Sequence, residues 1–222
     1  MNEALSRDLP GGMAAALGTL RHALADPLSA AGLKLELLER HIAADSANGS
    51  SLEDRVRGVK ADLSLAGRLI DLLPRLAGIA GEIPAETSIG ELCRVAGIPL
   101  EEDAASREPL LLRRLASVDA LRIVVAFIRS MDPARTPPGL RTEAASAQVS
   151  LRIEGPGEPG DVNVERLFHL PRGDERAREL FLARAGIESD GGRLRLDERD
   201  GRIVALLSWP RPAPAAYSGA SA

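Results

Sequence analysis

Residues 56–80 carry more apolar surface than one neighbouring helix can cover, and that excess limits what the chain can become. Val56, Val59, Leu63, Ala66, Ile70, Leu73, Ala77 and Ala80 step 3-4-3-4-3-4-3, the spacing of one helix face. Beside them Leu65, Leu69, Leu72, Leu76 and Ile79 step 4-3-4-3 as a second stripe. Upstream, after Leu17, the positions Leu24, Leu28, Ala31, Leu35, Leu38 and Ile42 step 4-3-4-3-4, with Leu33 and Leu37 as a further apolar excess. Residues 45–51 between the two segments are polar and contain a glycine, and Ser50 with Glu53 has capping-box spacing. The pattern predicts an antiparallel helical hairpin. A two-helix hairpin has one internal contact face, so the second stripe needs another partner. Two solutions are open. Two hairpins pair into a four-helix bundle, or the stripe packs on the rest of the chain. The expected one is the homodimer, with Leu35, Leu38, Leu65, Leu69, Leu72 and Leu76 at its interface.

The pattern changes near Ile83-Pro84, beyond which short strand-like runs alternate with helices and Pro/Gly loops. The expected organisation is a hairpin over residues 1–83, an α/β domain over 84–212 and a disordered Ala/Pro/Ser-rich tail over 213–222, giving an α+β protein. A length of 222 residues accommodates these two units. Aromatics make up only 2%, so the core must be aliphatic, and the stacking platforms of single-stranded nucleic-acid binders are missing. A net charge of -4 also argues against a nucleic-acid partner, since phosphate neutralisation needs a basic face. The single cysteine, Cys93, excludes an intramolecular disulfide and a multi-cysteine zinc cluster, which fits a reducing compartment. The apolar run at 123–128 is far too short to span a bilayer, and Met1-Asn2-Glu3 does not open like a signal peptide. The expected location is the cytoplasm, with no membrane partner.

His22 lies two residues before Leu24 and points off the apolar seam. Around it the chain reads Leu20-Arg21-His22-Ala23-Leu24-Ala25-Asp26-Pro27-Leu28-Ser29. A proline inside a helix costs about 3 kcal/mol through a ring clash and a lost hydrogen bond. One placed five residues after an outward histidine, on an otherwise regular heptad, calls for a reason. The segment resembles the phosphoacceptor motif H-E-L-R-T-P-L of bacterial sensor histidine kinases, in their dimerisation and histidine phosphotransfer domain. His22, Leu24, Pro27 and Leu28 fall on matching positions, and residues 33–38 continue as that family's leucine-rich stretch. The resemblance implies that His22 is a phosphoacceptor and that Arg21, Ala25, Asp26, Leu28 and Ser29 form a docking face. Imidazole suits the role, being nucleophilic near neutral pH and forming a phosphoramidate that passes its group to a carboxylate. His41 and His169 lack such contexts and read as structural. The sequence departs from the family at Ala23, where an acidic residue usually helps to deprotonate the histidine, and at Asp26, where Thr or Asn is usual.

Residues 88–210 resemble, in order, the ATP-binding domain of the same kinases. Residues 119–131 match its asparagine-box helix, 148–153 a strand running into Gly155-Pro156-Gly157, 165–168 a leucine-phenylalanine turn, and 180–187 a later helix. Residues 193–196 and 202–209 match two closing strands around Asp200-Gly201. The ligand residues are replaced: the box asparagines correspond to Phe127 and Met131, the adenine-reading aspartate to Ile153, and the phosphate-cradling glycines to Ala177 and Glu179. A glutamate at a helix N-terminus repels a triphosphate.

A retained phosphoacceptor helix beside lost ATP ligands resembles the histidine phosphotransferases built like cut-down sensor kinases. The resemblance implies relay between response-regulator receiver domains, with no cofactor of the chain's own and the magnesium supplied by the receiver. The alternatives are a pseudokinase scaffold that binds a regulator without relaying phosphate, and a divergent active kinase.

Overall fold

The computed structural model describes residues 11–43, 49–157 apart from 133 and 135, and 175–212. The fold is α+β: an N-terminal helical hairpin followed by an α/β domain. Helix α1 (Gly11–Ala43) begins straight after Pro10 and runs through Pro27 without a break. Its inward face is Met13, Ala16, Leu20, Pro27 and Ala31, all buried. Helix α2 (Gly49–Ile70) returns antiparallel, starting within a residue of the expected cap. Lys34 Nζ donates to Asp62 Oδ2 at 2.6 Å, and an Arg55 guanidinium N–H donates to the Leu37 carbonyl at 3.3 Å. These contacts hold the two helices level.

The second helical segment is not one helix. It breaks at Asp71, and α3 (Leu72–Gly81) follows. Pro74 is the cause: it has no N–H for the Ile70 carbonyl, and it sits in the first turn of α3 where none is needed.

The second domain begins with strand β1 (Ala85–Thr87), which pairs antiparallel with β2 (Leu110–Leu112) around helix α4 (Ile89–Ala96). Ser88 caps α4 by accepting from the Glu91 N–H at 3.2 Å, and Gly97, at φ 74°, ends it in the left-handed conformation. Helix α5 (Arg114–Ser130) follows. Then come β3 (Gly139–Ala144), β4 (Gln148–Pro156), helix α6 (Glu175–Glu188), β5 (Arg193–Arg199) and β6 (Arg202–Pro210). The last four strands form an antiparallel sheet in the order β3-β4-β6-β5. Leu151 pairs with Leu207 and Ile153 with Ala205, so alternate residues of the central strands turn one apolar face to the helices. That face meets Leu121, Val124 and Ile128 of α5 and Leu180, Ala183 and Ile187 of α6. A Cβ on Gly155 would stand 2.4 Å from Ile128 Cγ2, so glycine there lets α5 lie directly on β4. Asp200 and Gly201, at φ 52° and 68°, make the β5–β6 turn.

Helix α6 is buried on two sides, and this corrects the expected dimer interface. Phe181, Leu182 and Ala185 face away from the sheet and pack on Met13, Ala16, Leu20, Leu65, Leu69, Leu72 and Leu76. Leu65, Leu69, Leu72 and Leu76 are 8%, 2%, 4% and 1% exposed within a single protomer. Their stripe therefore takes the second of the two solutions open to it, packing on the chain's own C-terminal domain. Leu35 remains exposed and Leu38 half-buried. The Arg75 guanidinium spans the same junction with hydrogen bonds to both Glu179 carboxylate oxygens, at 2.5 and 3.0 Å. Glu82 accepts from the Leu115 and Ala116 N–H groups at 2.6 and 3.0 Å, capping α5 from the end of the hairpin.

Candidate functional site

On α1 the positions His22, Asp26, Ser29, Leu33 and Leu37 step 4-3-4-4 and share the face opposite Met13, Leu20 and Ala31. All five are exposed. No described residue hydrogen-bonds or ion-pairs with His22, which leaves its ring nitrogens open to an incoming group. Pro27 instead lies on the inward face of α1 and is buried. Lacking an N–H, it leaves the Ala23 carbonyl, four residues earlier and next to His22, without its helical donor. Ala23 is half-buried, and the nearest carboxylate along this helix face is that of Asp26, one turn on.

The residues expected to dock a partner divide between two faces. Asp26 and Ser29 share the His22 stripe, whereas Arg21, Ala25 and Leu28 are exposed on the adjoining flank. Leu33 and Leu37, 59% and 43% exposed, extend the His22 stripe and were legible in the sequence only as surplus leucines. Leu28 lines up with Leu35, seven residues on, and Leu63 with Ile70 on α2. The Lys34–Asp62 pair sets these residues side by side, so Leu28, Leu35, Leu63 and Ile70 form one exposed apolar strip along the hairpin. Next to the His22 turn, Thr19 of α1 and Arg184 of α6 line a cleft of about 90 Å³. The second domain thus reaches α1 one turn before His22.

The positions that the resemblance aligns with nucleotide-binding residues carry other side chains. Phe127, Ile153 and Ala177 are apolar and 6%, 0% and 0% exposed, the first two packed into the domain core. Met131 is half-buried, with its sulfur 3.8 Å from an Arg176 guanidinium nitrogen. Glu179 is committed to Arg75 at the domain junction. Ile153 offers no carboxylate to adenine, and Phe127 and Met131 offer no amide oxygen to magnesium. The expected turn at 165–168 and His169 lie outside the described residues, as do the 213–222 tail and the side chain of His41. Among the described residues no three His, Cys, Asp or Glu side chains gather as a metal site. The Cys93 thiol is buried, which pushes its pKa up to about 12 and removes it as a nucleophile. No helix among the described residues is long and apolar enough to cross a membrane.

No protein-family model and no curated protein matches the chain. Among solved structures, it is similar to the histidine kinase AdeS of Acinetobacter baumannii at 14% identity, over 86% of this chain and 98% of that one, with a TM-score of 0.48. It is also similar to the nucleotide-free catalytic domain of histidine kinase ThkA at 16% identity, over 58% of this chain and 97% of that one, with a TM-score of 0.50. A further nucleotide-free form of the ThkA domain gives 17% identity and a TM-score of 0.49. The α/β domain thus resembles the catalytic domain of a histidine kinase in fold.

Proposed function

We propose that the protein is a histidine phosphotransferase that relays a phosphoryl group between the receiver aspartates of response regulators through His22, without using ATP. His22, exposed on α1 and without a partner among the described residues, five residues before a buried helical proline, carries the reading. The neutral imidazole attacks the phosphorus of a receiver aspartyl phosphate in line. A P–N bond forms, the P–O bond to the carboxylate breaks, and the aspartate leaves with its electron pair. A second receiver reverses the step, each receiver bringing its own magnesium. Asp26, Ser29, Leu33 and Leu37 offer a polar-then-apolar face below the histidine for the receiver, and α6 flanks it beside Thr19. Two copies pair through Leu28, Leu35, Leu63 and Ile70 into a four-helix bundle, which leaves both histidines outward.

Ala23 favours a second reading. Without an acidic neighbour for its histidine, the chain also suits a scaffold that holds a regulator and transfers nothing. Incubation with a phosphorylated receiver separates the two. The relay predicts acid-labile, alkali-stable label on the wild type and none on His22→Ala, whereas the scaffold predicts receiver binding by both proteins and label on neither.

A further inference from the structure

A groove of about 510 Å³ opens between the C-terminal end of α4, the second half of α5 and the start of β3. Its size falls in the range of about 300–1,000 Å³ usual for binding pockets. Ile98, Val125 and Leu140 form an apolar floor, and the prolines at 99, 137 and 138 form walls without N–H groups. Arg122 and Arg129 stand at the rim, one heptad apart on α5, and among the described residues no carboxylate lines the groove. Arg122 is committed: it donates to the Val95 and Ala96 carbonyls at 3.0 and 3.5 Å and closes the end of α4. The Arg129 side chain is exposed and has no hydrogen-bond or ion-pair partner among the described residues. A cation left open over an apolar floor selects for an acidic and apolar occupant.

A second observation gives that occupant a shape. β3 is an edge strand whose outer side makes no backbone hydrogen bond to any described residue, although the turn Ala105–Arg107 packs against it and the Thr142 hydroxyl donates to Asp103 at 2.7 Å. Leu140, paired with the buried Ile153, turns from β3 into the groove, so the groove runs directly beneath the open edge. The opposite edge differs. β5 carries Arg193, Arg195, Asp197, Glu198 and Arg199, a charge density that discourages strand addition, while β3 carries only Arg141 and Glu143.

We propose that the open edge of β3 and this groove together dock an extended acidic segment of a partner protein. The segment pairs with β3 as an added strand, seats one apolar side chain between Ile98, Val125 and Leu140, and turns a carboxylate to Arg129. Among the described residues none of the hairpin or of α6 lines the groove, so the site is separate from His22. The site therefore stands whether or not the relay reading does.

The test uses the full chain and a fluorescein-labelled peptide, Glu-Leu-Glu-Val-Glu-Leu, the length of β3, with a glutamine-for-glutamate version as control. Fluorescence anisotropy is expected to show saturable binding of the acidic peptide, weakened about tenfold by Arg129→Glu. Ala126→Trp, at an exposed position that fills the groove, is expected to abolish it, while Arg195→Glu on the opposite edge leaves it unchanged. Peptide-induced amide shifts should run along residues 139–144. Absence of saturable binding, equal binding of the glutamine peptide, or indifference to Arg129→Glu overturns the proposal. Displacement of the peptide by octanoate, with amide shifts confined to the groove and none along β3, also overturns it by assigning a small-anion site instead.

Discussion

The two leucine stripes of the second helical segment give opposite predictions. Leu63 and Ile70 are 50% and 49% exposed in the protomer, whereas Leu69 and Leu76 are 2% and 1% exposed. Full burial of such a side chain is worth about 1.5–3 kcal/mol, so covering the remaining half contributes about 1 kcal/mol for each. Two residues in each of two protomers supply about 4 kcal/mol of association, which at about 1.4 kcal/mol per decade is nearly three orders of magnitude in dimer Kd. Leu63→Gln with Ile70→Gln should shift the protein from dimer to monomer in sedimentation equilibrium while lowering its Tm by only a few degrees. Leu76→Ala should do the reverse, costing about 2–5 kcal/mol of folding stability through the cavity left against α6, with the dimer Kd of the folded fraction unchanged. A wild-type protein that sediments as a monomer at high micromolar concentration would refute this reasoning. So would a Leu63→Gln/Ile70→Gln variant that dimerises as the wild type does.

Pro27→Ala restores the helical donor to the Ala23 carbonyl and should raise stability by up to about 3 kcal/mol, yet slow transfer from a phosphorylated receiver. An unchanged transfer rate would reduce the proline to a feature of packing. Glu82→Ala removes the cap from the N–H groups of Leu115 and Ala116 and should cost about 1 kcal/mol, read as faster hydrogen exchange at those two amides. The Asp103 carboxyl is held below its ordinary 3.8, first by the hydrogen bond from the Thr142 hydroxyl and next by that from the Ser106 N–H. Its folded pKa is the lower one, so its contribution is present above about pH 4 and is lost as pH falls through the folded value. Thr142→Val should shrink that acid-side loss, measured as Tm against pH.

How far the sequence could be read depended on the range of the interactions. The seams of α1 and α2 are local, so period alone located the hairpin, and the outward placement of His22 followed from its offset to Leu24. The partner of the Leu65–Leu76 stripe was not legible, because Phe181, Leu182 and Ala185 lie more than one hundred residues away. Helix α6 is moreover apolar on two sides, packed against both the sheet and the hairpin, and shows no single face in the sequence. The three-residue strands β1 and β2 are too short for a period, and they are fixed by pairing across α4. Pro74 carried a break signal of its own, overshadowed by two apolar stripes running through it. Around His22, Asp26 and Ser29 were found from the motif, while Leu33 and Leu37 needed the observed exposure to be assigned to the same stripe rather than to a seam.

The central claim is that His22 carries phosphate between receivers, and the most direct test is transfer from a phosphorylated receiver domain to the wild type and to His22→Ala, followed by chase into a second receiver. The account predicts acid-labile, alkali-stable label on the wild type alone, and its passage to the second receiver without added nucleotide. Label of that kind on His22→Ala, or a wild type that binds a receiver tightly and never becomes labelled, would contradict it.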